Sequence, residues 1–178
     1  MAAPTLNAGG YSMEVYWNSS QTISSTSAGG VVSRPTVTIS ASPDYAAADV
    51  VGGIITLSSV MSSTGRQAKL TSITLKDAGG QAPALSILLF RATPSGGTYT
   101  DNEALVWGSG DMANLVAVVT VLAADWYTRV SKSVVSVGGI DVIVGSATTD
   151  LYMLVIADAA WNAAATTDLT VSLAFEQM

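Results

Sequence analysis

The sequence predicts an all-β protein: an antiparallel two-sheet β-sandwich, with a jelly roll as the expected topology and an N-terminal arm in front of it. Three observations carry this. Short runs with a side-chain period of two recur along the chain. Turn-forming residues separate most of them. No stretch sustains the 3.6-residue apolar spacing of an amphipathic helix, and no repeat of fixed length points to a propeller or β-helix.

The clearest unit is LTSITLKDAGGQAPALSILLFR, residues 70–91. Thr71, Ile73 and Leu75 alternate with Ser72, Thr74 and Lys76, as a half-buried strand requires. Gly79 and Gly80 break the pattern with a reversal, and Pro83 suits a strand entrance because it cannot donate to a ladder. Leu85 to Phe90 is apolar on both faces, with Leu85, Ile87 and Leu89 on one and Leu88 and Phe90 on the other. Tyr152, Leu154 and Ile156 likewise lie opposite Leu151, Met153 and Val155. A sandwich core covers one face of a strand, so the second face needs a loop, the arm or a neighbouring molecule. The expected inner surface comprises Ile73, Leu75, Leu85, Ile87, Leu89, Val171, Leu173 and Phe175.

Taken in order, residues 1–45 read as arm and linker and 46–178 as the sandwich. Tyr11, Met13, Val15 and Trp17 form one apolar face of a short strand, followed by the Ser/Thr/Gly-rich stretch 18–30. Further strands are expected over 36–39, 50–57, 114–122, 125–137, 140–144, 150–158 and 169–175. One short helical turn fits within 104–112, and residues 159–167 fit a loop or another such turn. The glycine pairs at 52–53, 79–80, 96–97 and 138–139 are turn or bulge positions; none opens a helix as a phosphate loop does.

Only 11% of the 178 residues are charged, against about 25% in an average domain, so Ser, Thr, Gly and Ala must build much of the surface. Such a surface is poorly defended against association, and stable subunit contacts are expected. The net charge is −6 and the seven Lys and Arg residues are scattered singly. Nucleic-acid binding, which depends on clustered positive charge, is not expected. MAAPTLNAGG has neither the basic nor the apolar segment of a secretory leader. The longest nearly unbroken apolar run, 115–124 with Thr120 inside it, is too short to cross a bilayer as a helix, so no membrane partner is expected.

Cysteine and histidine are absent. Ser-His-Asp and Cys-His catalysis are therefore excluded, as are zinc sites built on those ligands. Asp101 and Glu103, with Asp111 further on, could face one another across a groove as a glycosidase pair; the plainer reading makes them solvating charges on a loop. Asp101, Asn102 and Glu103 could offer oxygens to calcium, but the EF-hand spacing is missing and an Asx turn explains them equally well. Trp17, Trp107, Trp126 and Trp161, with Tyr99 and Tyr127, could stack on sugars if aligned; filling core and interface is the stronger expectation. No catalytic residue, cofactor or metal site is assigned.

DVVGGIITL at 49–57, LTSITLKDAGGQAPALSILLF at 70–90, YTDNEAL at 99–105 and DLTVSLAF at 168–175 are similar in order and texture to small virion structural proteins of tailed bacteriophages. Within that group the chain resembles the capsid decoration (cement) proteins of jelly-roll fold. The resemblance implies a non-enzymatic protein made in the host cytoplasm, carried on the capsid surface, bound to the major capsid protein and self-associated, typically as a trimer. The expected partner interface comprises Tyr11, Met13, Val15 and Trp17 of the arm with Leu88 and Phe90. The rival reading is a carbohydrate- or receptor-binding module of a tail fibre or baseplate.

Overall fold

Period-two patterning becomes paired strand almost wherever it occurs in the body. The computed structural model describes residues 30–40 and 44–178, and the backbone alone of residues 6–8 and 11–13. Leu6–Ala8 (β1) pairs antiparallel with Tyr11–Met13 (β2), Leu6 opposite Met13. Of the apolar strip expected over 11–17, Val15 and Trp17 lie outside the described residues.

The body strands are Gly30–Ser33 (β3), Val50–Leu57 (β4), Gln67–Asp77 (β5), Leu85–Phe90 (β6), Leu115–Val121 (β7), Tyr127–Arg129 (β8), Lys132–Gly145 (β9), Leu151–Ala157 (β10) and Leu169–Gln177 (β11). They form a four-stranded sheet, β4-β10-β6-β7, and a five-stranded sheet, β3-β11-β5-β9-β8, with every pairing antiparallel. With the short β8 set aside, one sheet holds the first, eighth, third and sixth body strands and the other the second, seventh, fourth and fifth. That order is a jelly roll.

The sheets close on the predicted core. Ile73, Leu75, Leu85, Ile87, Leu89, Val171, Leu173 and Phe175 are all buried in one cluster. Register departs from the expectation at Thr71. A bulge between Leu70 and Ser72 turns Leu70 inward, and the Thr71 hydroxyl donates to the carbonyl of Ala174 at 3.0 Å. Beyond the bulge Ser72, Thr74 and Lys76 face outward as the alternation requires.

Other boundaries moved for local reasons. The first body strand is Gly30–Ser33, inside the stretch expected to be linker, and it pairs with β11. Residues 36–39, expected as strand, follow Pro35 as irregular chain, yet Val37 and Ile39 are buried in the core with Tyr45. The sandwich therefore reaches back to Gly30. The runs 125–137 and 140–144 resolve as β8, a tight turn, and one long β9 that passes through Gly138-Gly139. The helical turn falls at Asp111–Asn114 (α1).

The second apolar face of β6 and β10 is covered by the chain itself. Leu88, Phe90, Leu154, Ile156 and Val50 form a second buried cluster with Tyr99, and Leu105, Leu115 and Tyr152 pack against it. Tyr99 and Leu105 belong to the connection between β6 and β7, which folds back over the sheet. Residues 102–105 run along the start of β4: Val50 donates to the Glu103 carbonyl at 2.9 Å, Asn102 to that of Val50 at 2.8 Å and Leu105 to that of Ala48 at 2.9 Å. A strand with two apolar faces was legible; the loop that covers it was not.

Candidate functional site

The outer faces of the two sheets differ in kind. The four-stranded sheet lies beneath its loop. The outer face of the five-stranded sheet carries Ser72, Thr74, Ser136, Thr170, Ser172 and Ala174, all at least partly exposed. Their partners follow from the register, Thr74 lying between Ser172 and Ser136, with the hydroxyls of Thr74 and Ser136 3.1 Å apart. Short polar side chains at these positions leave the sheet face open.

Two hollows adjoin on that face and share Lys76. One, of about 230 Å³, is lined by Val32, Arg34, Ser72, Thr74, Lys76 and Ser172 among others. The other, of about 370 Å³, is bounded by Lys76, Tyr127, Arg129, Lys132, Val134 and Thr170. Arg34, Lys76, Arg129 and Lys132 thus stand on one face of a chain whose net charge is −6. Asp77 and Asp168 also border the larger hollow, but both are buried and turned into loops. Lys132 donates to the carbonyl of Ala78 at 3.0 Å. At the other end of the face Lys69 lies 3.1 Å from Glu176 and 3.5 Å from Asp141, and these carboxylates hold its ammonium pKa above the ordinary lysine value. Arg34 thus stands towards the β3 edge of this face and Arg129 and Lys132 towards the β8 edge, with Lys76 of the central β5 bordering both hollows.

The carboxylates suspected of chemistry are loop anchors. Asp101 accepts from the Ser40 and Tyr45 hydroxyls and from the Gly52 amide, each at 2.6 Å. Burial, then the bond to Asp101, pushes the Tyr45 phenol well above its ordinary pKa. Asp111 accepts from the Tyr99 hydroxyl, from Ser95 N–H at 3.0 Å and from Gly108 N–H at 3.1 Å. These bonds, the phenol's first, lower its pKa, while burial and the carboxylate raise that of Tyr99. Glu103 is exposed and contributes only its backbone to the loop. Asp77 accepts from the amides of Gly79, Gln81 and Ala82 at 2.5–2.9 Å. Among the described residues no group of three or more acidic side chains is placed to hold a metal ion.

The aromatic residues do not line up. Trp126 is buried and donates to the Pro83 carbonyl at 2.8 Å. Trp161 is buried and stacks on Tyr45, with ring centroids 5.3 Å apart. Trp107 is 40% exposed and leans on Phe90 over the four-stranded sheet, while Tyr127, 64% exposed, belongs to the other sheet. Trp17 lies outside the described residues.

Of the expected interface, Leu88 and Phe90 are 5% and 0% exposed within a single chain. Of the three covers the pattern allowed (loop, arm or neighbour), the loop supplies it for these two residues. Tyr11 and Met13 fall in β2, and Val15 and Trp17 are not described. Sequence reasoning placed Lys76 outward but missed its grouping with Arg34, Arg129 and Lys132. That grouping exists only once β3, β11, β5, β9 and β8 are set side by side, and no local pattern announces it. Compared with known proteins, the chain matches no family model and no curated protein.

Proposed function

We propose that this protein is a non-enzymatic structural component of a tailed-bacteriophage virion, a decoration protein that clamps neighbouring capsid subunits on the outside of the head. The observation that carries this reading is the one-sided exposure of the sandwich. One broad face is largely covered by its own loop, and the other is open, hydroxyl-rich and carries Arg34, Lys76, Arg129 and Lys132. An open sheet face with short side chains suits docking on another surface, and its cations fit acidic groups on the shell. The carboxylates' engagement in holding loops, together with the texture shared with phage decoration proteins, supports the same reading.

Electron microscopy of purified particles tests it. The expected result is density for this protein on the outer shell, lost from particles assembled with a Lys76→Glu, Arg129→Glu variant. Its absence from heads, or a position on the tail, overturns the reading. The larger hollow beside exposed Tyr127 favours, as the second reading, a carbohydrate- or receptor-binding module; saturable binding on a glycan array that Tyr127→Ala abolishes would establish it.

A further inference from the structure

We propose that the cleft between the start of β7 and the end of β9 is a binding site for a small phosphomonoester, its phosphate held by Arg66 and Arg91 and its organic group lying against Val116 and Ile143.

The cleft forms on one side of the sandwich, where the two sheets approach. β7 is the edge of the four-stranded sheet, and β9 lies near it in the five-stranded one. β8 reaches only as far as Val134 along β9, so near Gly145 β9 is itself the edge among the described residues. The cavity measures about 410 Å³ and is lined by Arg66, Arg91, Val116, Ile143 and Ser146, among others. Small-molecule sites span about 300–1,000 Å³, and this one falls within that range.

The charge of the lining points to a phosphate. Arg66 directly precedes β5 of one sheet, and Arg91 directly follows β6 of the other. Among the described residues that line the cleft they are the only ionisable ones. Neither guanidinium has a hydrogen bond or ion pair among the described residues. Two positive charges therefore stand together, unneutralised, in a chain whose net charge is −6. A phosphomonoester brings about −1.5 to −2 charges at neutral pH, whereas a carboxylate would balance only one arginine. The planar guanidinium fork also matches paired phosphate oxygens.

The backbone beneath both arginines is already set. The Arg91 amide donates to the Asn114 carbonyl at 2.9 Å, and its own carbonyl accepts from the buried Ser146 hydroxyl at 2.8 Å. Ser146 also accepts from the Thr148 amide at 3.1 Å, and so ties the end of β6 to the end of β9. Arg66 closes a turn in which its amide donates to the Ser63 carbonyl at 3.3 Å, with Gly65 at φ 74°. Only the side chains remain to be ordered by a ligand, which lowers the cost of binding. Ile143 is 54% exposed and Val116 partly so. An organic group on the ester would cover both, which inorganic phosphate cannot do. None of the lining residues borders the hollows that hold Arg34, Lys76, Arg129 and Lys132, so the site does not depend on the decoration reading.

Calorimetry of the full-length protein with phenyl phosphate, inorganic phosphate and benzoate tests the site. Phenyl phosphate should bind saturably, and at least about tenfold more tightly than either of the others. Arg66→Gln and Arg91→Gln should each weaken it at least about tenfold. Ile143→Ser should bring its affinity down toward that of inorganic phosphate. In an amide-resolved NMR titration the signals of Gly65, Gly145 and Ala147 should move. Both arginines are exposed, and unchanged circular dichroism of the variants shows that their fold is intact. Lack of saturable binding, benzoate bound as tightly, arginine variants that bind like the parent, or shifts at Tyr127 and Lys132 instead would each overturn the proposal. Equal affinity for inorganic phosphate would overturn the role given to Val116 and Ile143.

Discussion

The Asp101 carboxylate holds the Tyr45 hydroxyl at 2.6 Å across fifty-six residues of sequence. It also takes the Ser40 hydroxyl and the Gly52 amide, and so ties the covering loop to the segment before β4 and to β4 itself. Asp101→Ala leaves three donors without an acceptor and should cost about 3 kcal/mol. Asp101→Asn, which keeps one acceptor oxygen, should cost less. Urea denaturation checks both; equal, negligible losses would show that the loop is held by packing alone.

Leu88 and Phe90 test that packing. Both are buried by the chain's own loop, so truncation to Ala should cost about 3–5 kcal/mol in an isolated chain. Residues 93–107 should also become more sensitive to limited proteolysis. A small loss that appears only in the oligomer would return these residues to an interface between subunits.

Stability should be flat between pH 5 and 8, because no histidine is present. Asp111 has a lowered pKa, so its contribution is present above the usual carboxylate range and is lost as pH falls through the depressed value. Tyr45 and Tyr99 have raised values. Their contributions are present below the ordinary phenol pKa of about 10 and are lost as pH rises through the folded values. Thermal midpoints measured from pH 2 to 12 should trace a plateau with two shoulders, and a step near pH 6.5 would contradict it.

The β8–β9 turn carries a local misfit. Val130 and Ser131 have φ of 45° and 61°, between paired Arg129 and Lys132. A two-residue turn with both φ values positive favours Asn-Gly, and a β-branched residue resists it. Val130→Asn with Ser131→Gly should raise stability by about 1 kcal/mol. The turn also meets Gly80 (φ 71°), where an added Cβ would collide with the Ser131 backbone. Gly80→Ala should therefore be destabilising, and a neutral result in the same denaturation series would refute the close approach.

Alternation made the sandwich legible. Ile73, Leu75, Val171 and Leu173 declare their inward face because a period of two leaves no other register with a dry core. The bulge at Thr71 was not legible, since either Leu70 or Thr71 could face inward until β9 fixed the pairing. Pro35 hid the first strand by drawing attention downstream, while Gly30–Ser33 looked like linker until β11 supplied its partner. The basic grouping on the outer face was invisible for the same reason: Arg34 and Arg129 are distant in sequence, and Lys76 joins them only through sheet order. Asp101 and Asp111 read most plainly as solvating loop charges, but their work is fastening, which depends on amides and hydroxyls that no local spacing reveals.

The loop over β6 and β10 gives the molecule one broad side largely covered by its own chain. Objects with two adhesive broad sides stack without limit, whereas a plate that adheres on one side stops after a single layer. On the proposed decoration reading, a coat assembled from such units would stay one molecule thick however much protein is supplied. Its outer skin would be the loop bearing Val106 and Trp107, and substitutions exposed there would change what the coated object presents while leaving its attachment untouched.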